Sequence, residues 1–418
     1  FRTSDIDEVG DESHLTFFEM LGNFSFGGYF QEEAIRLAHE FITSKDWMNL
    51  RIDYVTIFDG NKMPEGDWRK SGTSSDQQSR VAWEKIFREE GLSEEDIQRK
   101  IHLEGIDNFW GPTGAEGPCG PTTEIYVKNA QGKPIEIWNI VFNQFYCDKD
   151  KNLKFLETFG VELGAVGIDT GMGLERLAMV AQKKSNIFET DLFESLMDIL
   201  QSEYRYDDLR IRRILADHIR AVTYLIADGI EPDKKGRGYI LRYLLRRIAT
   251  NVGKESSIPL NQREQPTKSW NKRTYEIIKS VGDKLIASNR ELQGKEGIFD
   301  SIIRSETDKL IDLLKSGKEI EEIINQYRNS PDGKIPGKDI FRLYSSLGVP
   351  VDHIRKEIEK YNLSFDEKEF IEEKKKHQEV SRAGQEKKFG GHGLLLDTGE
   401  LKAGNEEELK KVTRLHTA

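Results

Sequence analysis

The sequence predicts an α+β fold in its first half and an all-helical second half, and three observations support this. Residues 1 to about 195 mix short β-like runs with glycine-rich loops. From Asp207 onward, apolar residues recur at helical spacing. The 418 residues are enough for two or three domains, at roughly 100 to 200 residues per domain.

Two runs in the first half have the composition of β-strands. "RIDYVTIFDG" reads as a strand that ends in Asp-Gly, and "IEIWNIVFNQFY" reads as one long apolar strand. Between them, "WGPTGAEGPCGP" contains four glycines and three prolines, so regular structure is not expected there. A loop of this kind lets backbone approach a ligand closely.

The second half is predicted to be a series of amphipathic helices. The first carries apolar residues from Ile211 to Leu225 at helical spacing, and Asp228-Gly229 ends it. A second helix follows directly. Later helices are predicted over 273–293, 297–315, 319–329, 338–346 and 351–361, and "FDEKEFIEEKKKHQEVSRA" is predicted to be a solvated helix.

The second helix lies in a basic segment. The whole chain has a net charge of −11, yet residues 234 to 254 contain seven basic residues and no acidic one. Arg242 and Arg246 lie one turn apart, away from the apolar face. A phosphate backbone is the natural partner of such a surface. The alternative is a solvated arginine face that pairs with acids elsewhere in the chain.

Composition excludes several classes of protein. No uninterrupted apolar run is long enough to span a membrane. The two cysteines, Cys119 and Cys147, have no CxxC pattern, which argues against a disulfide framework and against a four-cysteine zinc site. This cysteine usage suits a reducing cytoplasm.

The stretch "TFFEMLGNFSFGGYF" places six aromatic rings in residues 16–30, next to turn glycines. Because phenylalanine is commonly buried, a hydrophobic core is one reading. A platform for a planar ligand is the other. The stretch by itself does not decide between them.

"GIDTGMGLERLAM" places Gly171 and Gly173 directly before a helix that carries Glu175 and Arg176. It lacks the third glycine of a dinucleotide fingerprint and the Gly-Lys-Ser/Thr of a P-loop. The glycines could simply allow a strand to pack closely on a helix. They could instead let a ligand lie against bare backbone, while the guanidinium at the helix start stacks on a ring or binds phosphate.

Five blocks together carry a resemblance to a known family. "TFFEMLGNFSFGGYF", "NFWGPTGAEGPCGPTTEI", "EIWNIVFNQF", "DTGMGLER" and "LADHIRAVTYLIADGIEP" followed by "GRGYILR" resemble, in this order, the alanyl-tRNA synthetases. "DTGMGLER" is similar to the third signature motif of class II aminoacyl-tRNA synthetases. Arg2, its following loop and the aromatic run are similar to the second motif. The first motif, which this family carries upstream, is absent from the sequence.

The resemblance implies an antiparallel class II sheet flanked by helices, followed by an all-α tRNA-binding domain. We expect an aminoacylation domain over 1–195, a helical acceptor-stem domain over 196–384, and a linker with the start of an editing domain over 385–418. The implied activity is that of an alanine-tRNA ligase. It uses ATP and Mg²⁺ to form alanyl-adenylate and then esterifies the 3′ end of tRNA(Ala).

The resemblance also implies roles for individual residues of the nucleotide site. Arg2, Asp169 and Arg176 would be catalytic, and adenine would lie between Phe18 and Arg176. The ATP-binding residues would be Arg2, Phe18, Glu124, Gly173 and Arg176. Glu124 and Glu136 could hold Mg²⁺ that bridges the phosphates, because this hard cation prefers oxygen ligands. Read from the residues alone, Arg2 would be an exposed surface arginine, and Glu124 or Glu136 could instead be part of an ion pair on a strand face.

For alanine, the resemblance implies Asp169 as the partner of the ammonium group. Asn139 would offer polar contacts and Val141 an apolar wall, while Trp110 and Gly171 would limit the space for a side chain. In isolation, Trp110 reads as a core residue. With Phe18 assigned to the platform, Phe24, Phe26 and Phe30 are expected in the core.

For tRNA, the resemblance implies phosphate contacts from Arg237, Arg242, Arg246 and Arg247. Asp352 and Asn251 would be base readers. Asp5 would contact the nucleotide or the tRNA end, or would simply be a turn residue.

The closing "TRLHTA" is similar to the start of the family's zinc-binding editing motif, with His416 in the first position. A lone histidine is not a metal site, so we expect neither Zn²⁺ binding nor editing from these residues.

Two rival readings remain. A synthetase-derived RNA-binding protein would not activate amino acids. A stand-alone editing protein would need the complete zinc motif and no adenylation half.

Overall fold

The computed structural model describes residues 1–3, 6, 8–70, 75–156, 166–204, 206–252, 268–316, 318–330, 333–347 and 351–386. Helices surround a β-sheet in the first half of this part of the chain, and helices predominate in the second half. The strands of the described residues are β1 (Met20–Leu21), β2 (Phe24–Phe26), β3 (Ile52–Phe58), β4 (Ile101–Glu104), β5 (Phe109–Trp110), β6 (Gly117–Lys128), β7 (Pro134–Asn143), β8 (Phe145–Cys147), β9 (Leu153–Phe155), β10 (Gly167–Gly173), β11 (Lys334–Ile335) and β12 (Ser364–Phe365). Their helices are α1 (Gln31–Thr43), α2 (Gln77–Glu89), α3 (Glu94–Lys100), α4 (Leu174–Ala181), α5 (Asp191–Ser202), α6 (Leu209–Ala227), α7 (Gly236–Val252), α8 (Lys268–Ser288), α9 (Glu296–Ser316), α10 (Lys318–Tyr327), α11 (Gly337–Arg342), α12 (Val351–Glu359) and α13 (Glu367–Glu386).

The main sheet has the strand order β1-β10-β7-β6-β3-β4. Neighbouring strands in this order are antiparallel, except for the parallel pair β3 and β4. At one edge, β2 also pairs with β10, while β5 and β8 extend the start of β6. The predicted α+β class, with an antiparallel sheet and flanking helices, is therefore confirmed.

One face of the sheet forms the core. Ile125, Ile140 and Phe142 on this face are fully buried, in one hydrophobic cluster with Ile35 of α1 and Trp83 of α2. Because successive side chains of a strand point to opposite faces, the residues between them face away from these helices. The candidate site lies on that second face.

The predicted strands are confirmed with one correction. "RIDYVTIFDG" contains β3, and the Asp59 side chain caps the turn after it by accepting the Asn61 backbone N–H at 3.0 Å. "IEIWNIVFNQFY" forms two strands, β7 and β8. The expectation of no regular structure in "WGPTGAEGPCGP" is wrong from Gly117, where β6 begins. The glycine at position 120 lets this strand lie close to its neighbour, because a Cβ there would come within 1.8 Å of the Phe142 carbonyl oxygen.

The predicted helices are also present, but the second half is not entirely helical, because β11 and β12 pair there as a short parallel ladder. Asp208 starts α6 by accepting the Ile211 backbone N–H at 3.1 Å. Gly229 follows its end with a φ of +78°, a conformation that favours glycine. The helix predicted over 338–346 is α11, which ends at Arg342 and continues as a π-helical turn, Leu343–Leu347. The helix predicted from the charged segment is α13.

The expected domain boundaries fall inside helices. The boundary at 195/196 lies within α5, and the one at 384/385 lies within α13. One hydrophobic cluster contains buried residues from Ile6 to Ile303, and a second contains residues from Ile320 to Phe370. The division into three domains stays a prediction.

Two further observations concern the whole described chain. Cys119 and Cys147 are both free and buried. Among the described residues, no helix combines the length and apolar character needed to cross a membrane.

Candidate active site

Strand register brings the predicted amino-acid site together on the open face of the sheet. Across β6, β7 and β10, Glu124 pairs with Asn139 and Asn139 pairs with Gly171. Two residues further along, Val141 of β7 pairs with Asp169 of β10. Residues that are paired, or two apart on one strand, share a face. All five therefore lie on the same face, although up to 47 positions separate them in sequence.

Glu124 is the most highly connected carboxylate of this face. Its Oε2 accepts from the Thr56 hydroxyl at 3.2 Å and from the Tyr126 hydroxyl at 2.9 Å. Its Oε1 accepts from Asn139 Nδ2 at 3.2 Å. Burial, aided by repulsion from Glu136, raises the pKa of Glu124 to about 7. The side chain is therefore fixed in place and changes its protonation state near neutral pH.

Sequence reasoning missed the residues that orient Glu124. Asn108, in a short 3₁₀ turn before β5, donates from Nδ2 to Thr56 Oγ1 at 2.9 Å. Thr56 in turn donates to Glu124, so the two form a hydrogen-bonded chain. The only signal in the sequence is a threonine at an alternating position of a predicted strand, which is too common to stand out.

Asp169 is half-buried on β10. Burial raises the pKa of its carboxyl group. No residue of the described ranges donates a hydrogen bond to this side chain or forms an ion pair with it. A carboxylate in this position favours a cationic ligand, because such a ligand would offset the cost of burying the charge.

Gly171 lies two residues after Asp169 on β10, and its missing side chain leaves room for Met20. A Cβ at Gly171 would come within 2.9 Å of the Met20 sulfur, so the thioether already occupies the space above this glycine. Trp110 pairs with Gly120 of β6 and is 38% exposed, in contrast to the core reading. Gly120 is four residues before Glu124 on β6 and two residues before Thr122, which pairs with Val141.

At the nucleotide end, Arg2 lies over Phe18. The Arg2 Cζ atom is 5.8 Å from the centroid of the Phe18 ring, and the Arg2 backbone N–H donates to the Thr16 carbonyl at 2.9 Å. Phe18 is partly buried and leads directly into β1, where Met20 pairs with Gly173. This pairing places Phe18 close to the start of α4.

Arg176 lies in the first turn of α4, above Gly173. Its Nη1 donates to the Glu136 carboxylate and to the Glu136 carbonyl oxygen, each at 3.0 Å. Within the described residues, the guanidinium that lies over Phe18 is therefore that of Arg2, and Arg176 is held by Glu136. The sandwich of a base between Phe18 and Arg176 stays a prediction.

The expectation that Phe24 and Phe26 are core residues is wrong. Phe24 is 58% exposed and Phe26 is 88% exposed, whereas Ser25 between them is buried. Side chains alternate between the two faces along β2. Phe24 pairs with Asp169 and therefore lies on the open face, and Phe26, two residues further on, lies on the same face. Phe30 is partly buried and makes an edge contact with Phe142.

A buried polar network under this site was also missed. The Thr16 backbone N–H donates to Asp217 Oδ1 at 2.8 Å, and Asp217 Oδ2 lies 2.8 Å from His218 Nδ1. Arg220 of the same helix, α6, forms ion pairs with Glu19 and Glu175. The signal was the run of polar residues in "LADHIRA" inside an apolar helical pattern.

The basic residues of α7 differ in how exposed their side chains are. Arg237 is exposed, and Arg242 and Arg246 are half-buried near Glu306, which lies 3.7 Å from Arg242 Nε. Burial, together with the charge of Arg242, lowers the pKa of Arg246 to about 10.

Arg247 and Asn251 differ from the expectation of an exposed tRNA-binding surface. They are 8% and 3% exposed, since they project to the packed side of α7. Asn251 Nδ2 donates to the Arg247 carbonyl at 2.8 Å.

Three expected residues have no described side chain. Asp5 and His416 lie outside the described residues. Asp352 lies in the first turn of α12, but its side chain is also outside the described part.

The fold and the site together define a class of protein. The sequence matches the family of class II (A) tRNA synthetases over residues 1–413. The chain therefore belongs to the class II (A) tRNA synthetases.

The chain is similar to proteins named alanine-tRNA ligase. The one from Borrelia garinii subsp. bavariensis is 35% identical over 444 aligned positions, covering 100% of this chain and 66% of that protein. Those from Endomicrobium trichonymphae and Treponema pallidum are 36% and 34% identical, covering 91% and 96% of this chain and 41% and 64% of those proteins. The chain thus spans at most 66% of the length of these three relatives.

Proposed function

We propose that this chain forms alanyl-adenylate from alanine and ATP and transfers the alanyl group to the 3′ end of tRNA(Ala). Family membership and the names of the relatives support tRNA aminoacylation. The observation that carries the proposal is Asp169, a half-buried carboxylate without a partner among the described residues, beside Val141 and Gly171. This arrangement suits an amino acid with a small side chain.

In this proposal, Asp169 binds the ammonium group of alanine. The alanine methyl group lies toward Val141, which is only 5% exposed, while Met20 above Gly171 and Trp110 at the rim leave little room for a larger side chain. Asn139 presents Oδ1, a buried oxygen that accepts no hydrogen bond within the described residues. That oxygen would accept from a donor on the bound ligand.

ATP would bind at the end of the face formed by Phe18, Arg2, Gly173 and Arg176. The ring offers a stacking surface for adenine, and the guanidiniums offer forked, permanently charged partners for phosphate. The alanine carboxylate attacks the α-phosphate, and pyrophosphate leaves. Arg2 would offset the charge that develops at that phosphate, so that positioning and electrostatics supply most of the rate enhancement.

The residues fit Mg²⁺ bound together with ATP. Glu124 supplies carboxylate oxygens held in place by three hydrogen-bond donors. The described residues contain no group of three His, Cys, Asp or Glu side chains placed to share an ion, so phosphates and water would complete the ligand set. When bound, the ion would neutralise phosphate charge. Glu124, with Glu136 adjacent to it on the sheet, would hold the ion.

The tRNA would bind along the exposed part of α7. Arg237, Arg242 and Arg246 would contact phosphates, which position the tRNA without reading its sequence. Asp5 would contact the acceptor end, and Asp352 stays a candidate for base reading, whereas Asn251 is buried and is not proposed to contact tRNA. Arg247 would act from within the fold, through its packing.

Alanine-dependent exchange of pyrophosphate into ATP tests the adenylation step. We expect exchange with alanine, and weaker exchange with glycine and serine, because one methylene or hydroxyl gives only about 1 to 3 kcal/mol of discrimination. Asp169→Asn should raise the KM for alanine about 10- to 100-fold, the effect of losing a charged hydrogen bond. Asp46→Asn, at an exposed position, is the matched control.

Two results would contradict the proposal. The absence of alanine-dependent exchange, with tRNA binding intact, would identify an RNA-binding protein that does not activate amino acids. An unchanged KM for alanine in Asp169→Asn would show that Asp169 does not bind the ammonium group.

A further inference from the structure

Arg220 of α6 is a buried arginine with partners on two distant segments. Its side chain is 5% exposed. Its Nη2 lies 2.9 Å from Glu19 Oε1, and its Nη1 lies 2.7 Å from Glu175 Oε1 and donates to the Phe17 carbonyl at 3.1 Å. One guanidinium therefore binds both the segment that carries Phe18 and the helix turn that carries Arg176.

The two segments are also connected directly to each other. The Glu19 backbone N–H donates to both oxygens of Glu175, at 3.1 and 3.2 Å, and the Leu174 backbone N–H donates to the Glu19 carbonyl at 2.9 Å. Glu175 is 1% exposed, so its carboxylate depends on these donors and on Arg220. Arg220, Glu19 and Glu175 thus form a hydrogen-bonded junction, which connects the segment that carries Phe18 to the first turn of α4.

The site requires arginine rather than any cation. The guanidinium carbon lies 4.7 Å from the centroid of the Phe17 ring and 5.3 Å from that of Phe193. A planar fork can stack on rings while it donates to several acceptors, which an ammonium group cannot do. Lysine at this position would keep the positive charge but lose the bridging geometry.

We propose that Arg220 is a positioning residue for the nucleotide site, which fixes Phe18 and Arg176 relative to each other by bridging Glu19, Glu175 and the Phe17 carbonyl. The inference rests on the proposed function, because Phe18 and Arg176 are taken to bind ATP. Arg220 itself does not contact the substrate. Its effect should therefore appear in ATP binding and not in alanine binding, since the hydrogen bonds and ion pairs that Arg220 and its partners form involve neither Asp169 nor Val141.

A purely structural role makes a different prediction. Such a role would lower stability and reduce the amount of active protein, without a selective change in either KM. The critical measurement is therefore the separation of the KM for ATP from the KM for alanine in pyrophosphate exchange. Thermal unfolding of the same preparations reports stability.

The variant is Arg220→Lys, and Arg212→Lys is the matched control on the same helix. Arg212 Nη1 donates to Gln201 at 2.6 Å, away from the junction. In Arg220→Lys, we expect the KM for ATP to rise about tenfold or more, the usual effect of losing a charged hydrogen bond. The KM for alanine should change less than about twofold, within the ordinary spread for a site that is not involved. The control should change neither.

A double-variant cycle tests whether Arg220 acts through Phe18. If it does, the effect of Arg220→Lys on the KM for ATP should shrink in a Phe18→Ala background. If the fold-changes in the KM for ATP caused by the two substitutions simply multiply in the double variant, the inference is wrong. An unchanged KM for ATP, or an equal rise in both KM values, would do the same. If Arg220→Lys does not fold, Glu19→Gln removes one acceptor from a half-exposed side chain and should shift the KM for ATP in the same direction.

The outcomes separate this inference from the proposed function. An active wild type with an unaffected Arg220→Lys variant contradicts the inference alone. A wild type that binds ATP in calorimetry but shows no exchange contradicts the proposed function. In that case, the Kd for ATP replaces the KM for ATP when Arg220→Lys and Arg212→Lys are compared with wild type. A wild type that does not bind ATP contradicts both.

Discussion

Replacing Glu124 by glutamine should make the stability of the protein less sensitive to pH. Burial, with repulsion from Glu136, raises the pKa of Glu124 from 4.5 to about 7. A carboxyl group whose pKa is raised on folding stabilises the folded state fully below its unfolded pKa, and this contribution is lost as the pH rises through the folded value. Glutamine has the same shape and does not titrate.

The size of the effect follows from these two pKa values. Each tenfold change in proton affinity is worth about 1.4 kcal/mol, so the full contribution is about 3 kcal/mol and about 2.5 kcal/mol of it falls between pH 5 and pH 8. Glutamine would keep the hydrogen bonds from Thr56 and Tyr126. Its amide would donate to Asn139 Oδ1, which accepts no hydrogen bond within the described residues, after a flip of the Asn139 amide.

The assay is urea unfolding of wild type and Glu124→Gln at pH 5, 6, 7 and 8. The variant should gain about 2.5 kcal/mol relative to wild type across this range. Glu104→Gln, at a half-exposed position of β4, is the control and should show no comparable trend. A difference between wild type and Glu124→Gln that stays constant from pH 5 to pH 8 would refute the reasoning, because it would show that Glu124 does not titrate there.

Four further predictions concern packing and charge. Phe26→Ser should change the free energy of unfolding by less than about 0.5 kcal/mol, because the ring is 88% exposed, and denaturant unfolding would detect a larger loss. Gly282→Ala should destabilise by about 1 to 3 kcal/mol, since a Cβ there would come within 2.2 Å of the Phe299 ring; an unchanged melting temperature would contradict this. Arg237→Ala should weaken tRNA binding with little loss of stability. The slope of the logarithm of the binding constant against the logarithm of salt concentration should fall in magnitude by about one, as measured by filter binding in a salt series. Arg247→Ala should instead cost about 2 kcal/mol of stability, because that side chain is buried. A stability loss in Arg237→Ala together with a stable Arg247→Ala would contradict this prediction.

Much of the fold could be predicted from the sequence, because local patterns specify it. The helical period from Ile211 to Leu225 and the Asp228-Gly229 stop gave α6, and the apolar β-branched run gave β7. The errors arose where tertiary contacts override local preference. Gly117 to Pro121 read as loop, yet they pair with β5 and β8. Phe24 and Phe26 read as core, yet the strand period turns them outward.

The sequence by itself determined which chemistry-bearing residues are present and which elements carry them, because motifs and periodicity are local. Only the tertiary structure decided which residues meet, because strand register and helix packing join positions that are far apart in the chain. Register places Glu124, Asn139 and Gly171 in one row. Packing of α6 brings Arg220 to Glu19 and Glu175, a contact that no local pattern specifies.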